Sequence, residues 1–156
     1  MKILLVTLGL AMVGSGPAAA ASTRGAGVGV VVGDPIGAVM RTFLNDVQSV
    51  DVGVGYSGDA VLWADFAWHS WDLFPKARAG LMDAWVSAGP RLETRRDAEF
   101  AVRTLLGLSC WVPRQPIEVF ITAGPVFRLA PKGGVDADGG VGLRFYFGGE
   151  PQASKR

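Results

Sequence analysis

The chain has 156 residues, enough for one domain of ordinary size and too few for two. Fifteen basic residues stand against fourteen acidic ones, and without Lys2 the remainder is formally neutral. That is the wrong balance for a nucleic-acid binder, which needs a basic surplus or stripe. Cys110 is the sole cysteine, which excludes an internal disulfide and a cysteine-based metal cluster.

Met1-Lys2 forms a short positive start, and Ile3 to Val13 is an apolar run broken only by Thr7 and Gly9. The small residues from Gly14 to Ala21 then suit signal-peptidase cleavage after Ala20 or Ala21. Residues 1–21 therefore read as a cleaved secretory signal peptide, 22–147 as the folded domain and 148–156 as a polar C-terminal tail. The apolar run is too short to span a bilayer as a helix, and no later stretch of eighteen apolar residues exists. An exported chain of this kind enters a membrane only as a closed sheet, because lipid leaves no partner for open backbone groups.

Beyond the leader the hydrophobic period is two throughout. Val28, Val30 and Val32 alternate with glycine between Gly25 and Gly33, and Asp34-Pro35 turns the chain. From Ile36 to Leu44, Ala38 and Met40 oppose Val39, Arg41 and Phe43, and 45–49 reads as a turn. Val50, Val52, Val54 and Tyr56 alternate with Asp51, Gly53 and Gly55 before the turn signal Ser57-Gly58-Asp59. Ala60 to Trp71 carries Leu62, Ala64, Phe66 and Trp68 opposite Trp63, Asp65, Ala67 and His69. A fifth strand over 77–88 has Gly80, Met82, Ala84 and Val86 on one face and Asp83 on the other, and the charged stretch 89–97 reads as a solvated loop.

Ala98 to Trp111 sets Phe100, Val102, Thr104, Leu106, Leu108 and Cys110 against Glu99, Arg103 and Ser109. Ile117 to Phe127 sets Ile117, Val119, Ile121, Ala123 and Phe127 against Glu118, Phe120 and Thr122. A Pro/Gly-rich loop is expected over 128–137. The last strand has Val141, Leu143, Phe145 and Phe147 on one face and Gly140, Gly142, Arg144 and Tyr146 on the other. Eight strands of membrane-crossing length in even number predict an all-β, eight-stranded antiparallel up-and-down transmembrane β-barrel. Eight strands leave an interior that side chains fill, so a wide pore is not expected.

Four stretches, GVGVVVGDPIG (27–37), VLWADFAWH (61–69), PIEVFITAGP (116–125) and GGVGLRFYF (139–147), resemble a little-characterised family of small bacterial outer-membrane-type barrels first described among spirochaete membrane proteins. The resemblance implies an eight-stranded barrel like the small OmpA/OmpX type and brings no established activity, ligand or catalytic residue. The spacing of Gly142, Phe145 and Phe147 also resembles the closing-strand signal read by the barrel insertion machinery. The chain departs from that pattern by continuing nine residues past Phe147.

With the oily faces in lipid, Arg41, Asp51, Asp65, His69, Glu99, Arg103, Glu118 and Arg144 point inward. Charges in a narrow interior must pair, and arginine's planar fork suits carboxylates. The set reads as a salt-bridged structural plug, or as a polar relay through the lumen. Small barrels also include lipid-modifying enzymes that use Ser, His and a carboxylate. Ser70 beside His69 points to the opposite face, so such a site needs another serine on the histidine's face. Trp63, Trp68, Trp71, Trp85 and Trp111 fall mostly near strand ends, where interfacial girdles place tryptophan. No motif calls for a cofactor or metal.

The expectation is a monomeric outer-membrane barrel, in contact with outer-membrane lipid and with a structural or surface-interaction role rather than an enzymatic one. A soluble lipocalin-like ligand-binding barrel with its faces reversed is the alternative, since alternation alone does not tell inside from outside.

Overall fold

The computed structural model describes residues 25–73, 81–94 and 98–147. The expected leader (1–21) and tail (148–156) lie outside them. Eight strands follow one another: β1 (Ala26–Asp34), β2 (Ile36–Phe43), β3 (Gln48–Tyr56), β4 (Ala60–Ser70), β5 (Leu81–Glu93), β6 (Glu99–Trp111), β7 (Ile117–Ala130) and β8 (Gly134–Tyr146). Each pairs antiparallel with its chain neighbours, and β1 pairs with β8 through partners such as Val30 and Leu143, closing the barrel. Closure removes the sheet edges that an open meander would leave.

The period-two pattern resolves into an apolar outside and a charged inside. Val30, Val32, Leu106, Ile121, Val141 and Phe145 are exposed, and Leu106 reaches 69 %. Arg41, Asp51, Glu118 and Arg144 are at most 4 % exposed. This inverts the ordinary soluble arrangement, in which apolar side chains fill the core.

Two expected loops turn out to be strand. Residues 89–93 continue β5, because Arg91 and Glu93 keep the inward phase of Asp83, Trp85 and Ser87. Residues 128–130 and 134–137 extend β7 and β8, leaving only 131–133 as the connection. Gln48 and Ser49 likewise belong to β3 and not to a turn. The described fifth strand starts at Leu81, and the expected 77–80 portion lies outside the described residues.

Proline locally interrupts the wall. β4–β5 pairing stops at Trp63↔Arg91 and resumes at Phe66↔Ala88, around Pro90. β6–β7 pairing stops at Arg103↔Val126 and resumes at Leu106↔Ala123, around Pro125. Neither proline has an N–H to give, and both lie on the exposed face, where the ring has room. At the Ser57-Gly58-Asp59 turn Gly58 takes φ +82°, a conformation that side chains disfavour.

The two ends differ. The terminal end carries the start of β1, the end of β8 and the connections from β2 to β3, β4 to β5 and β6 to β7. The distal end carries the other four connections. Its rim is uneven: β1 stops at Asp34, opposite Gly139, while β8 continues upward to Gly134 on β7 alone.

Candidate functional site

The interior is the site. All eight residues expected there are buried within the barrel, and the structure sorts them into three groups.

The first group is a four-charge box. Arg41 and Asp51 are direct cross-strand partners on β2 and β3, and Glu118 and Arg144 are direct partners on β7 and β8. Arg41 donates Nε to Asp51 Oδ1 and Nη2 to Asp51 Oδ2, both at 2.6 Å, and Nη1 to Glu118 Oε1 at 3.1 Å. Arg144 donates Nη2 to Asp51 at 3.2 Å and Nη1 to Glu118 Oε2 at 3.1 Å. Each guanidinium thus bridges both carboxylates. Glu118 also accepts the Ser109 hydroxyl at 2.5 Å and the Tyr146 hydroxyl at 2.6 Å. The flat faces of the arginines are covered too, Arg41 by Trp85 at 4.4 Å and Arg144 by Phe120 at 3.7 Å. Edge-on carboxylates and face-on aromatics together replace the water that a guanidinium would otherwise hold.

The second group lies toward the distal end. Arg103 donates Nε to both Asp65 oxygens at 3.0 Å, with Nη2 also on Asp65, and Nη1 to Asp138 at 3.2 Å; its face lies over Trp63 at 4.8 Å. Arg91 reaches Asp138 at 3.4 Å and Glu93 at 3.1 Å. Glu99 sits directly across from Glu93 at the top of β5 and β6. Among the described residues of this group, the carboxylates Asp65, Glu93, Glu99 and Asp138 stand with Arg91 and Arg103. A cavity of about 30 Å³ runs from Asp34, Pro35 and Asp138 down to Asp51 and Arg144. That volume is on the scale of one or two water molecules, far from a pore.

The third group is at the terminal end. His69 places Nδ1 2.6 Å from Asp83 Oδ2 and Nε2 2.9 Å from Ser49 Oγ. Ser49, His69 and Asp83 come from β3, β4 and β5, and Ser49↔Ala67 and His69↔Trp85 pairing sets them side by side. The atom order is that of a nucleophile, base and orienting acid. The surroundings are those of a core. Ser49 is fully buried and does not line the cavity. Phe43 lies 4.9 Å from the imidazole, and Trp71 stacks on it at 5.8 Å and 17°. Phe43, Trp111 and Tyr146 form an apolar plug at this end, with Trp71 and Leu81 packed against it.

Sequence reasoning did not place Ser49, Asp83, Arg91, Glu93, Asp138 or Tyr146 among the interior site residues, though the alternation already gave Asp83 the inward phase. Charge density hid Arg91 and Glu93, and an assumed turn hid Ser49. Trp68 is exposed on the outer wall, Trp63 faces the lumen as its strand phase implies, and the girdle expectation fails for Trp85 and Trp111, which are 5 % and 2 % exposed and fill the lumen. Two indoles rest on glycines: a Cβ on Gly53 would meet Trp63 at 2.1 Å, and one on Gly107 would meet Trp85 at 2.1 Å. Among the described residues no three His, Cys, Asp or Glu side chains are arranged to hold a metal.

No protein-family model matches the chain, and no curated protein does. Of the resemblance read from the sequence, the barrel of eight strands is what carries over. Among solved structures, the N-terminal β-barrel domain of Pseudomonas aeruginosa OprF matches with a TM-score of 0.56 at 16 % identity, covering 78 % of this chain and 95 % of that one. At that identity the likeness is one of fold: this chain is an eight-stranded, all-antiparallel closed β-barrel of the OprF kind.

Proposed function

We propose that the protein is a monomeric outer-membrane β-barrel, exported behind a cleaved signal peptide, whose interior is a salt-bridged plug and whose role is structural or in surface interaction. The observation that carries this reading is the inversion of the barrel, with large apolar side chains exposed around the wall and Arg41, Asp51, Glu118 and Arg144 sealed within. Water gives no reason for that arrangement, while lipid does. The fold likeness to the OprF barrel supports the same location. The box of two arginines and two carboxylates leaves no wide aqueous path.

The test is refolding of the mature chain in detergent. A folded membrane barrel migrates faster unboiled than boiled, needs detergent for its β-rich circular dichroism, and in planar bilayers passes no porin-sized current. A protein that stays soluble and monomeric without detergent overturns the membrane reading in favour of a lipocalin-like carrier.

One observation favours a second reading, a lipid-ester hydrolase: the Ser49–His69–Asp83 line. Its burial beneath Phe43 and Trp71 weighs against it, and labelling of Ser49 in the folded barrel by a fluorophosphonate is the result that would revive it.

A further inference from the structure

The wall is taller on one side than on the other. β1, β2 and β3 have 9, 8 and 9 residues, while β6, β7 and β8 have 13, 14 and 13. Stepping from partner to partner around the barrel from Tyr146, by way of Arg41 and Arg103, returns to β8 at Asp136, ten residues nearer the distal end. Rings of paired residues are therefore spirals, as strand tilt requires. Once that climb is allowed for, the strands begin level at the terminal end, and the difference in length stands at the distal rim. The outer apolar surface follows it. It ends at Val32 on β1, with the exposed Asp34 next above, but runs up to Phe100 on β6 and Leu129 on β7, which are 42 % and 57 % exposed.

A strand rising about 3.3 Å per residue at about 45° gains roughly 2.3 Å of membrane height per residue. The 8 residues of β2, closed off by Asp34-Pro35 above and by Asn45 and Asp46 below, then cover roughly 19 Å. The 14 residues of β7 cover roughly 32 Å. A flat hydrocarbon core of one thickness, normally about 30 Å, cannot match both. Backbone chemistry fixes which side gives way. Among the described residues β8 has no partner on the β1 side beyond Gly139, and lipid offers nothing to open N–H and C=O groups. At the seam between β1 and β8 the hydrocarbon must therefore end near Asp34 and Gly139. On β6 and β7 the ladder continues up to Phe100↔Ala130, so no such limit applies there.

We infer that the outer surface is fitted to a bilayer of uneven thickness. Lipid is thinned along β1, β2, β3 and the seam, and keeps its full depth against β6 and β7, where Phe100, Phe127 and Leu129 stand in hydrocarbon. The partner is the bilayer itself, because these upper side chains continue the apolar face of Leu106, Val119 and Ile121 with no charged residue on that face between them. A bilayer thins to meet a short wall at modest cost. This deepens the membrane part of the proposed function and rests on it.

The experiment uses the full mature chain carrying Cys110→Ser, refolded into dioleoylphosphatidylcholine vesicles, with its unboiled gel shift recorded first. Val30→Cys, Val32→Cys, Asp34→Cys and Leu129→Cys, made one at a time, each carry an environment-sensitive fluorophore. Quenchers are iodide in the water and lipids bearing a nitroxide at a shallow or a deep acyl carbon. The Val30 label tests the membrane reading alone, since iodide reaching it would take the wall out of lipid altogether. With that label in lipid, Asp34 is expected to be open to iodide and Leu129 roughly tenfold better shielded. Leu129 is also expected to match Val32 in its ratio of shallow to deep quenching, although it stands higher on the wall. A flat thick bilayer would shield Asp34, and a flat thin one would leave Leu129 open to iodide. Either result overturns the uneven fit and leaves the membrane reading intact. Leu129 shielded from iodide yet untouched by the nitroxide lipids would mean that protein covers it, which overturns the fit as well.

Discussion

The two halves of the lumen are built from the same residue types and are organised in opposite ways. In the terminal half Arg41, Arg144, Asp51 and Glu118 match charge for charge, each guanidinium carries an aromatic ring on one face, and Phe43, Trp111 and Tyr146 close the end. In the distal half, among the described residues, Arg91 and Arg103 share the carboxylates of Asp65, Glu93 and Asp138, and the cavity opens beside Asp34 and Asp138. Pairing stands in for solvent in the first, while the second borders the cavity and its water. Position along the axis, rather than the residue list, decides what a buried charge costs.

The largest expected break of this contrast is Glu118→Ala. It leaves Asp51 as the one carboxylate shared by two buried arginines and removes the acceptor for Ser109 and Tyr146. Losing one partner of a buried ion pair costs about 3–5 kcal/mol, and this change falls at the top of that range. Urea-driven unfolding in lipid or detergent, read as the midpoint of the gel-shifted fraction, checks it. Asp138→Asn at the other end is expected to cost about 1 kcal/mol, because Arg103 keeps Asp65 and Arg91 keeps Glu93. Equal losses at the two sites would erase the distinction between the halves.

A steric pair asks the same question without changing charge. Gly107→Ala drives a methyl into the Trp85 indole, whose N–H is bonded to Ser109 at 3.0 Å and whose face covers Arg41. Gly53→Ala does the same to Trp63, which stacks on Arg103 beside the cavity. Overpacking a filled core costs about 1–3 kcal/mol. Gly107→Ala is expected near the upper figure and Gly53→Ala near the lower, since both indoles border the cavity but Trp85 is also tied down by its N–H bond to Ser109. The same unfolding measurement ranks them, and the reverse order would place the loose packing in the terminal half.

Much of this was legible in the sequence because the barrel writes a period of two into every strand. The phase that puts Arg41, Asp51, Glu118 and Arg144 on one side needs no structure. What alternation cannot carry is register. Asp65 meets Arg103 from two strands away, and His69 gathers Ser49 and Asp83 from its two flanking strands. Those meetings depend on where each hairpin turns, and one residue of slip would send every side chain to the other face. The stretch around Arg91 and Glu93 was hidden differently. Its composition is that of a loop, and only an interior that welcomes charge makes it a strand.

The smallest expected effect is also the sharpest statement of the difference. If the terminal half is sealed as tightly as its rings imply, a fluorophosphonate should label Ser49 no faster in the folded barrel than it labels the Ser49→Ala variant. The hydroxyl has the right partner in His69 Nε2 at 2.9 Å, so a lack of reaction cannot be laid to a missing base. It would follow from the absence of room for an incoming group, because the lumen cavity stops at Asp51, Trp85 and Arg144. Trp71→Ala sharpens the point by removing the ring stacked on the histidine. If labelling stays at background there as well, the Ser49–His69–Asp83 line is a brace that ties β3, β4 and β5 together, and Ser49→Ala should cost only about 1 kcal/mol. Labelling that appears with Trp71→Ala would locate the seal in that one indole. Labelling of the unaltered barrel would mean that the terminal end opens, and the closed half would then be the working one.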